Sequence, residues 1–184
     1  GSSVSPEGST SRASAIQRYR FVRRLAVGGT AEVYVGEAIG VAGVTKRVAL
    51  KRILPNLATD EAFVLMFLNE ARIASTLQHP NIVQTYDVID DGGTYTIAME
   101  LLEGVTLLEL RQRLHQYPEL APTPALALYI IDRVLSGLHY AHERKTPAER
   151  PMNLVHRDVS PHNVFLTRDG NVKLLDFGVA KGEA

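Results

Sequence analysis

The stretch His156–Gly178, HRDVSPHNVFLTRDGNVKLLDFG, decides how the rest of the chain is read. It carries a carboxylate at Asp158, an amide at Asn163 and a second carboxylate at Asp176. Asp158 and Asn163 bracket a short turn that contains Pro161. Asp169-Gly170 is a turn signal, and the run Val172-Lys173-Leu174-Leu175 after it reads as a short apolar strand that delivers Asp176. Two carboxylates and an amide oxygen are hard donors, the kind that holds Mg²⁺ jointly with phosphate oxygens. One carboxylate can instead stay off the metal and orient or deprotonate an attacking hydroxyl.

Working outward, the composition narrows the possibilities. The chain has 184 residues, 45% hydrophobic and 22% charged, which suits one globular domain with a buried core. Lys plus Arg equals Asp plus Glu at 20 each, so no net charge argues for a nucleic-acid or membrane partner. The chain contains no cysteine. Disulfides, thiolate metal sites and a cysteine nucleophile are therefore excluded, and a reducing, cytoplasmic compartment is expected. No apolar run reaches the roughly eighteen residues of a membrane helix. The longest candidate, Ala125–Val134, is interrupted by Asp132 and Arg133. Residues 1–14, GSSVSPEGSTSRAS, are rich in Ser and Gly and read as a flexible leader without the apolar segment of a signal peptide.

The first half has hairpin chemistry. Tyr19–Val27 reads as a strand, Gly28-Gly29-Thr30-Ala31 as its turn and Glu32–Ala38 as the returning strand. Arg47–Ile53 is a further strand, with Lys51 in an apolar run where its charge needs a partner. A helix is expected over Asp60–Leu77, capped by Asp60, with Phe63, Phe67, Ala71, Ala74 and Leu77 near helical spacing. Phe67 and Ala71 flank Glu70 and suggest that it faces inward. Pro80 ends that helix. Val83–Ile89 and Thr94–Leu101 form a second hairpin around Asp90-Asp91-Gly92-Gly93. Thr106–His115 and Ala125–Arg144 read as helices, the second with an apolar stripe of Leu128, Ile131, Leu135, Leu138 and Ala141. Lys145–Met152, with two prolines, reads as an exposed loop.

The texts His156-Arg157-Asp158, Asn163 and Asp176-Phe177-Gly178, with Val48-Ala49-Leu50-Lys51 and His79-Pro80-Asn81-Ile82-Val83 upstream, resemble the eukaryotic-like Ser/Thr protein kinases in their bacterial form. The resemblance implies an α+β, bilobal fold. Residues 15–101 would form the N-lobe, an antiparallel sheet with one helix, and residues 102–184 a partial, mainly helical C-lobe. A complete domain of this family continues well beyond Asp-Phe-Gly, whereas this chain stops at Ala184, so a truncated second lobe is expected.

By the same resemblance, Asp158 orients the acceptor hydroxyl or takes its proton. Asn163 and Asp176 hold Mg²⁺ against the phosphates of ATP. Lys51, paired with Glu70, fixes the α and β phosphates, and Gly28 covers them. Met99 gates the pocket behind adenine, and the backbone of Glu100 and Leu102 meets the adenine edge. Leu25, Val33, Ala49 and Phe165 line the base. His156 and His79 are structural, and Arg157 answers an activation-loop phosphate. The partner is a protein substrate, and a helix stripe that loses its cover in a partial C-lobe invites self-association.

Three departures stand out. The family's G-x-G-x-x-G tip reads Ala26-Val27-Gly28-Gly29-Thr30-Ala31 here, so two of its glycines are alanines, and weaker nucleotide affinity is expected. The lysine usual two residues after the catalytic aspartate is Ser160, which removes a charge near the γ-phosphate. The loss of one such contact is worth about 2–4 kcal/mol where nothing replaces it, with His162 the neighbour placed to substitute. Finally, no Ser, Thr or Tyr follows Asp176. These departures keep a second reading open, a kinase-like module that binds nucleotide or a partner with little transfer. A small-molecule phosphotransferase of the same fold is a remoter third.

Overall fold

The computed structural model describes residues 18–177, so the expected leader and Gly178 lie outside the described residues. The chain divides into two compact units, residues 18–64 with 87–101, and residues 65–86 with 102–177.

The first unit is built on a five-stranded sheet. Its strands are β1 (Tyr19–Val27), β2 (Ala31–Ile39), β3 (Thr45–Ile53), β4 (Thr85–Asp91) and β5 (Thr94–Met99), in the order β1-β2-β3-β5-β4. The β1–β2, β2–β3 and β3–β5 pairs are antiparallel. The register sorts the side chains. Val33, Lys51 and Ile97 stand opposite one another, and Val35, Ala49 and Met99 form the neighbouring row on the same face. The other face carries a core of Val48, Leu50, Ile89 and Ala98. Gly36 is obligatory there, because a Cβ would come within 2.3 Å of Leu50 Cδ1. β1 is mostly exposed and has two register shifts, one of which falls at Leu25 between Arg24 and Ala26.

α1 (Glu61–Ser75) begins where expected, with Asp60 Oδ1 accepting the Phe63 N–H at 3.1 Å. Its buried residues are Phe67 and Ala71, and half-buried Glu70 lies on the same stripe. Two strand boundaries differ from expectation. β5 ends at Met99 rather than Leu101. β4 begins at Thr85 rather than Val83, because the Val83 N–H donates to the Leu174 carbonyl at 3.0 Å and ties the preceding segment elsewhere.

The second unit packs helices on a small sheet. β6 (Gly104–Thr106), β7 (Val164–Thr167) and β8 (Val172–Leu174) form an antiparallel sheet in that order. β6 was not expected. Gly104 takes φ 155° there, and a Cβ would lie 2.0 Å from the Leu166 carbonyl oxygen. α2 (Leu107–Gln116) starts with a capping box in which Thr106 and Glu109 satisfy each other's backbone N–H groups. α3 (Pro124–His142) is capped by Thr123, with Pro124 in its first turn.

The core joins Leu77, Ile82, Ile130, Ala141, Leu154, Val164, Val172, Leu174 and Phe177. The His79–Val83 segment is stitched to β8: Asn81 Nδ2 donates to the Val172 carbonyl at 2.9 Å, and the Leu174 N–H donates to the Asn81 carbonyl at 2.8 Å. The expected stripe on α3 needs correction. Leu138 and Ala141 face the core, but Leu128, Ile131 and Leu135 are 66%, 54% and 58% exposed. The packed face is instead Ile130, Val134, Gly137 and Ala141. The loop Lys145–Met152 is mostly exposed, as expected, and folds back on itself through a bridge between Lys145 and Pro151.

Candidate active site

The second unit assembles Asp158 and Asn163 through local chemistry. Ser160 and Pro161 start a short 3-10 turn, Pro161–Asn163, and the Asn163 N–H donates to the Ser160 carbonyl at 2.9 Å. Pro161 suits the first position of such a turn, since it brings a fixed φ and no N–H of its own. The turn swings the buried Asn163 side chain back over Asp158. Its Nδ2 donates to the Asp158 carbonyl at 3.0 Å and to Asp158 Oδ2 at 2.9 Å. Both amide hydrogens are thereby used, which leaves the Asn163 side-chain oxygen as the donor atom available to a cation.

A buried histidine links this loop to the one bearing Asp176. His156 is 1% exposed. Its Nδ1 accepts the Asp158 N–H at 3.2 Å, and its Nε2 lies 2.7 Å from the Leu175 carbonyl. Those roles require hydrogen on Nε2. The ring also packs edge-on against Phe177 at 4.6 Å between centroids. The Leu175 N–H donates to the Asn163 carbonyl at 2.9 Å, a second tie between the loops. Arg157 and Asp176 both take left-handed backbone conformations, φ 66° and 52°. Non-glycine residues adopt that region at a cost, and it is held here by the surrounding ties.

Two carboxylates and one amide are too few to form a closed protein cage. Among the described residues no group of three or more His, Asp or Glu side chains gathers around one point. That donor set fits Mg²⁺, which keeps waters and takes substrate phosphates as ligands, and does not resemble a resident zinc or calcium site.

The remaining sequence-predicted residues fall as follows. In the first unit, Val33, Ala49, Lys51 and Met99 share one sheet face, opposite the Leu50 core. Leu25 is 44% exposed at its bulge. Gly28 closes the β1–β2 tip by donating to the Ala31 carbonyl at 2.9 Å. Neither Gly28 nor Gly29 has positive φ, and a Cβ would meet only Ala31 O at 3.5 Å from Gly28 and nothing from Gly29. Local geometry therefore does not demand glycine at either place. Glu100 and residues 101–103 form no ladder, so backbone groups after β5 are left outside the sheet. In the second unit, Leu102 is half-buried, and Phe165 alternates with the core residues Val164 and Leu166, on the opposite face of β7. Glu70 lies on α1 as described.

A family model described as protein kinase domain matches residues 19–183. The chain belongs to the protein kinase domain family. Within that family it is 45% identical over 90% of its length to the Tyrosine-protein kinase MasK of Myxococcus xanthus, and 37% identical over 89% to the Serine/threonine-protein kinase PrkC of Bacillus subtilis. It spans about a quarter of the length of those relatives, 26% and 23%. Among solved structures it resembles the Mycobacterium tuberculosis PknI kinase domain, with a TM-score of 0.67 and 33% identity, over 89% of this chain and 61% of that one. The expected kinase-like α+β fold, with an antiparallel five-stranded sheet and an incomplete second lobe, is what the structure has.

Two ties, from His156 and Leu175, join the Asp158 and Asp176 segments without a motif of their own. The signal was present in the His-x-Asp spacing, but a carbonyl nineteen residues away leaves no mark in the text.

Proposed function

We propose that this chain is the nucleotide-binding portion of an ATP-dependent protein kinase that transfers the γ-phosphoryl group to Ser or Thr hydroxyls. The observation that carries the proposal is the Asn163 amide, which donates to both the backbone carbonyl and the carboxylate of Asp158. That arrangement offers an amide oxygen for Mg²⁺ and a carboxylate beside it for an acceptor hydroxyl. Each unit has its own part. In the first unit Lys51 binds the α and β phosphates. Leu25, Val33, Ala49 and Met99 line the base, Gly28 covers the phosphates and the Glu100 backbone meets adenine. In the second unit Asn163 with Asp176 hold Mg²⁺.

Mg²⁺ supplies charge neutralisation on the phosphate oxygens when bound. The acceptor oxygen forms its bond to the γ-phosphorus as the bond to the β,γ-bridging oxygen breaks, and the hydroxyl proton passes to Asp158. Positioning and charge account for most of the rate. An ATP-dependent reaction places the domain in the cytoplasm. Among the described residues no helix is long and apolar enough to cross a membrane. The partner is a protein substrate, and the exposed α3 stripe supports self-association of this portion of the chain.

Two observations favour other readings. The relative named as a tyrosine kinase favours a tyrosine acceptor. Ala26, Ala31 and Ser160 favour a binding module with little transfer. Radiolabelled phosphate transfer by the full-length protein, followed by phosphoamino-acid analysis, tests all three. Label on Ser or Thr, lost in Asp158→Ala, is the expected result. Label on Tyr moves the acceptor class, and binding of Mg·ATP without transfer leaves the module.

A further inference from the structure

Asp158 is held asymmetrically. Its Oδ2 accepts from Asn163 Nδ2 at 2.9 Å and has His162 Nε2 at 3.3 Å. Among the described residues, Oδ1 has no partner. The second contact is itself supported. Ser160 Oγ lies 3.0 Å from His162 Nδ1, 3.4 Å from its Nε2 and 3.4 Å from the Asp158 carbonyl. A serine hydroxyl has one hydrogen to give. Spent on the nearer Nδ1, it makes that nitrogen the acceptor and puts the ring hydrogen on Nε2, the nitrogen beside Asp158. The turn at Pro161–Asn163 explains why two consecutive side chains reach back to one carboxylate.

We infer that His162, oriented by the Ser160 hydroxyl, is a positioning residue that steadies Oδ2 of Asp158 and leaves Oδ1 as the atom that meets the acceptor hydroxyl. The inference rests on the kinase reading above. The chemistry it describes is orientation. With one oxygen held from two sides, the carboxylate cannot rotate freely about its Cβ–Cγ bond, and the other oxygen has a defined place. A misplaced base is costly in a transfer that depends on alignment. The role differs from packing, because His162 is largely exposed, with 56% of its side chain accessible, and contributes nothing to the core.

The test uses the full-length protein and steady-state phosphate transfer from Mg·ATP. His162→Ala should lower kcat about tenfold to a hundredfold, with KM for ATP and the melting temperature unchanged. His162→Gln, whose amide can still donate toward Asp158, should recover much of that rate. Ser160→Ala should cost less than His162→Ala and nothing further when added to it, because its effect passes through the ring. A His162→Ala protein as fast as wild type would overturn the inference. So would a Gln variant as slow as the Ala variant, strictly additive losses, or a fall in rate matched by a fall in melting temperature. A wild-type protein that transfers no phosphate would instead sink the kinase reading, and this inference with it.

Discussion

His156 Nε2 sits 2.7 Å from the carbonyl oxygen of Leu175 and so joins two loops nineteen residues apart in sequence. The same ring takes the Asp158 N–H on its other nitrogen. One buried imidazole therefore sets the spacing between the segment that carries Asp158 and the segment that carries Asp176.

Replacing that ring should affect stability and activity together. His156→Ala removes two hydrogen bonds and the edge contact with Phe177, and it leaves the Leu175 carbonyl and the Asp158 N–H without their partner. A loss of about 2–4 kcal/mol in unfolding free energy is expected, read as a lower denaturant midpoint. A midpoint within error of wild type would show that the one bond from the Leu175 N–H to the Asn163 carbonyl suffices.

Glycines separate into two groups. Gly104→Ala places a Cβ 2.0 Å from the Leu166 oxygen at a φ of 155°, so it should destabilise by about 2 kcal/mol or more. Gly29→Ala meets nothing within 4 Å and should leave thermal stability unchanged. Comparing the two melting curves checks both statements. If the β1–β2 tip covers phosphates, Gly28→Val should weaken Mg·ATP binding severalfold without lowering the melting temperature of the ligand-free protein.

The pH dependence of stability should carry a signature of His79. Burial, assisted by the positive charges of Arg133 and Lys173, holds its pKa below the ordinary 6.5. The folded state thus resists a proton that the unfolded state accepts. Its contribution is fully present above about pH 6.5 and is lost as pH falls from there through the depressed folded value. The denaturation midpoint should drop across that window. In His79→Asn the drop should be shallower, and an unchanged slope would remove His79 from the account.

Removing the charge at Asp176 should separate nucleotide from metal. Mg·ATP is expected to raise the melting temperature of wild type, by an amount that grows with ligand concentration. In Asp176→Asn the Mg²⁺-dependent part of that rise should vanish, while any shift from ATP in chelator persists. Equal shifts for both proteins would exclude Asp176 as a ligand.

The apolar outer stripe of α3 should be sticky but not structural. Ile131→Lys with Leu135→Glu exchanges two exposed side chains, so stability should change by less than about 0.5 kcal/mol. Self-association of residues 1–184, measured by sedimentation at rising concentration, should fall. Association that persists in the double variant would point to another surface.

The same helix shows how far periodicity reaches. Leu128, Ile131 and Leu135 form one apolar line and Ile130, Val134, Gly137 and Ala141 another, and both satisfy helical spacing. Which line is packed depends on Gly137. A Cβ there would lie 3.1 Å from Leu174 Cδ1 and 3.2 Å from the Asn81 carbonyl, so β8 and the His79–Val83 segment dock on the glycine side. A glycine in mid-helix carries no hydrophobic signal, so a stripe read from apolar residues alone mixes the exposed Leu128, Ile131 and Leu135 with the packed Leu138 and Ala141.

Sequence by itself determined the helices, the strands of the first unit and β8, the family, and the presence of polar groups at Asp158, Asn163 and Asp176. Those follow from local pattern: alternation, capping, turn residues and short motifs are written in neighbouring positions. Tertiary structure alone decided which α3 face is buried, that β6 and β7 pair, and that His156 and Asn163 both bond to Asp158. Those depend on carbonyls and side chains brought together by packing, and a backbone carbonyl is the same at every position until the fold says where it lies.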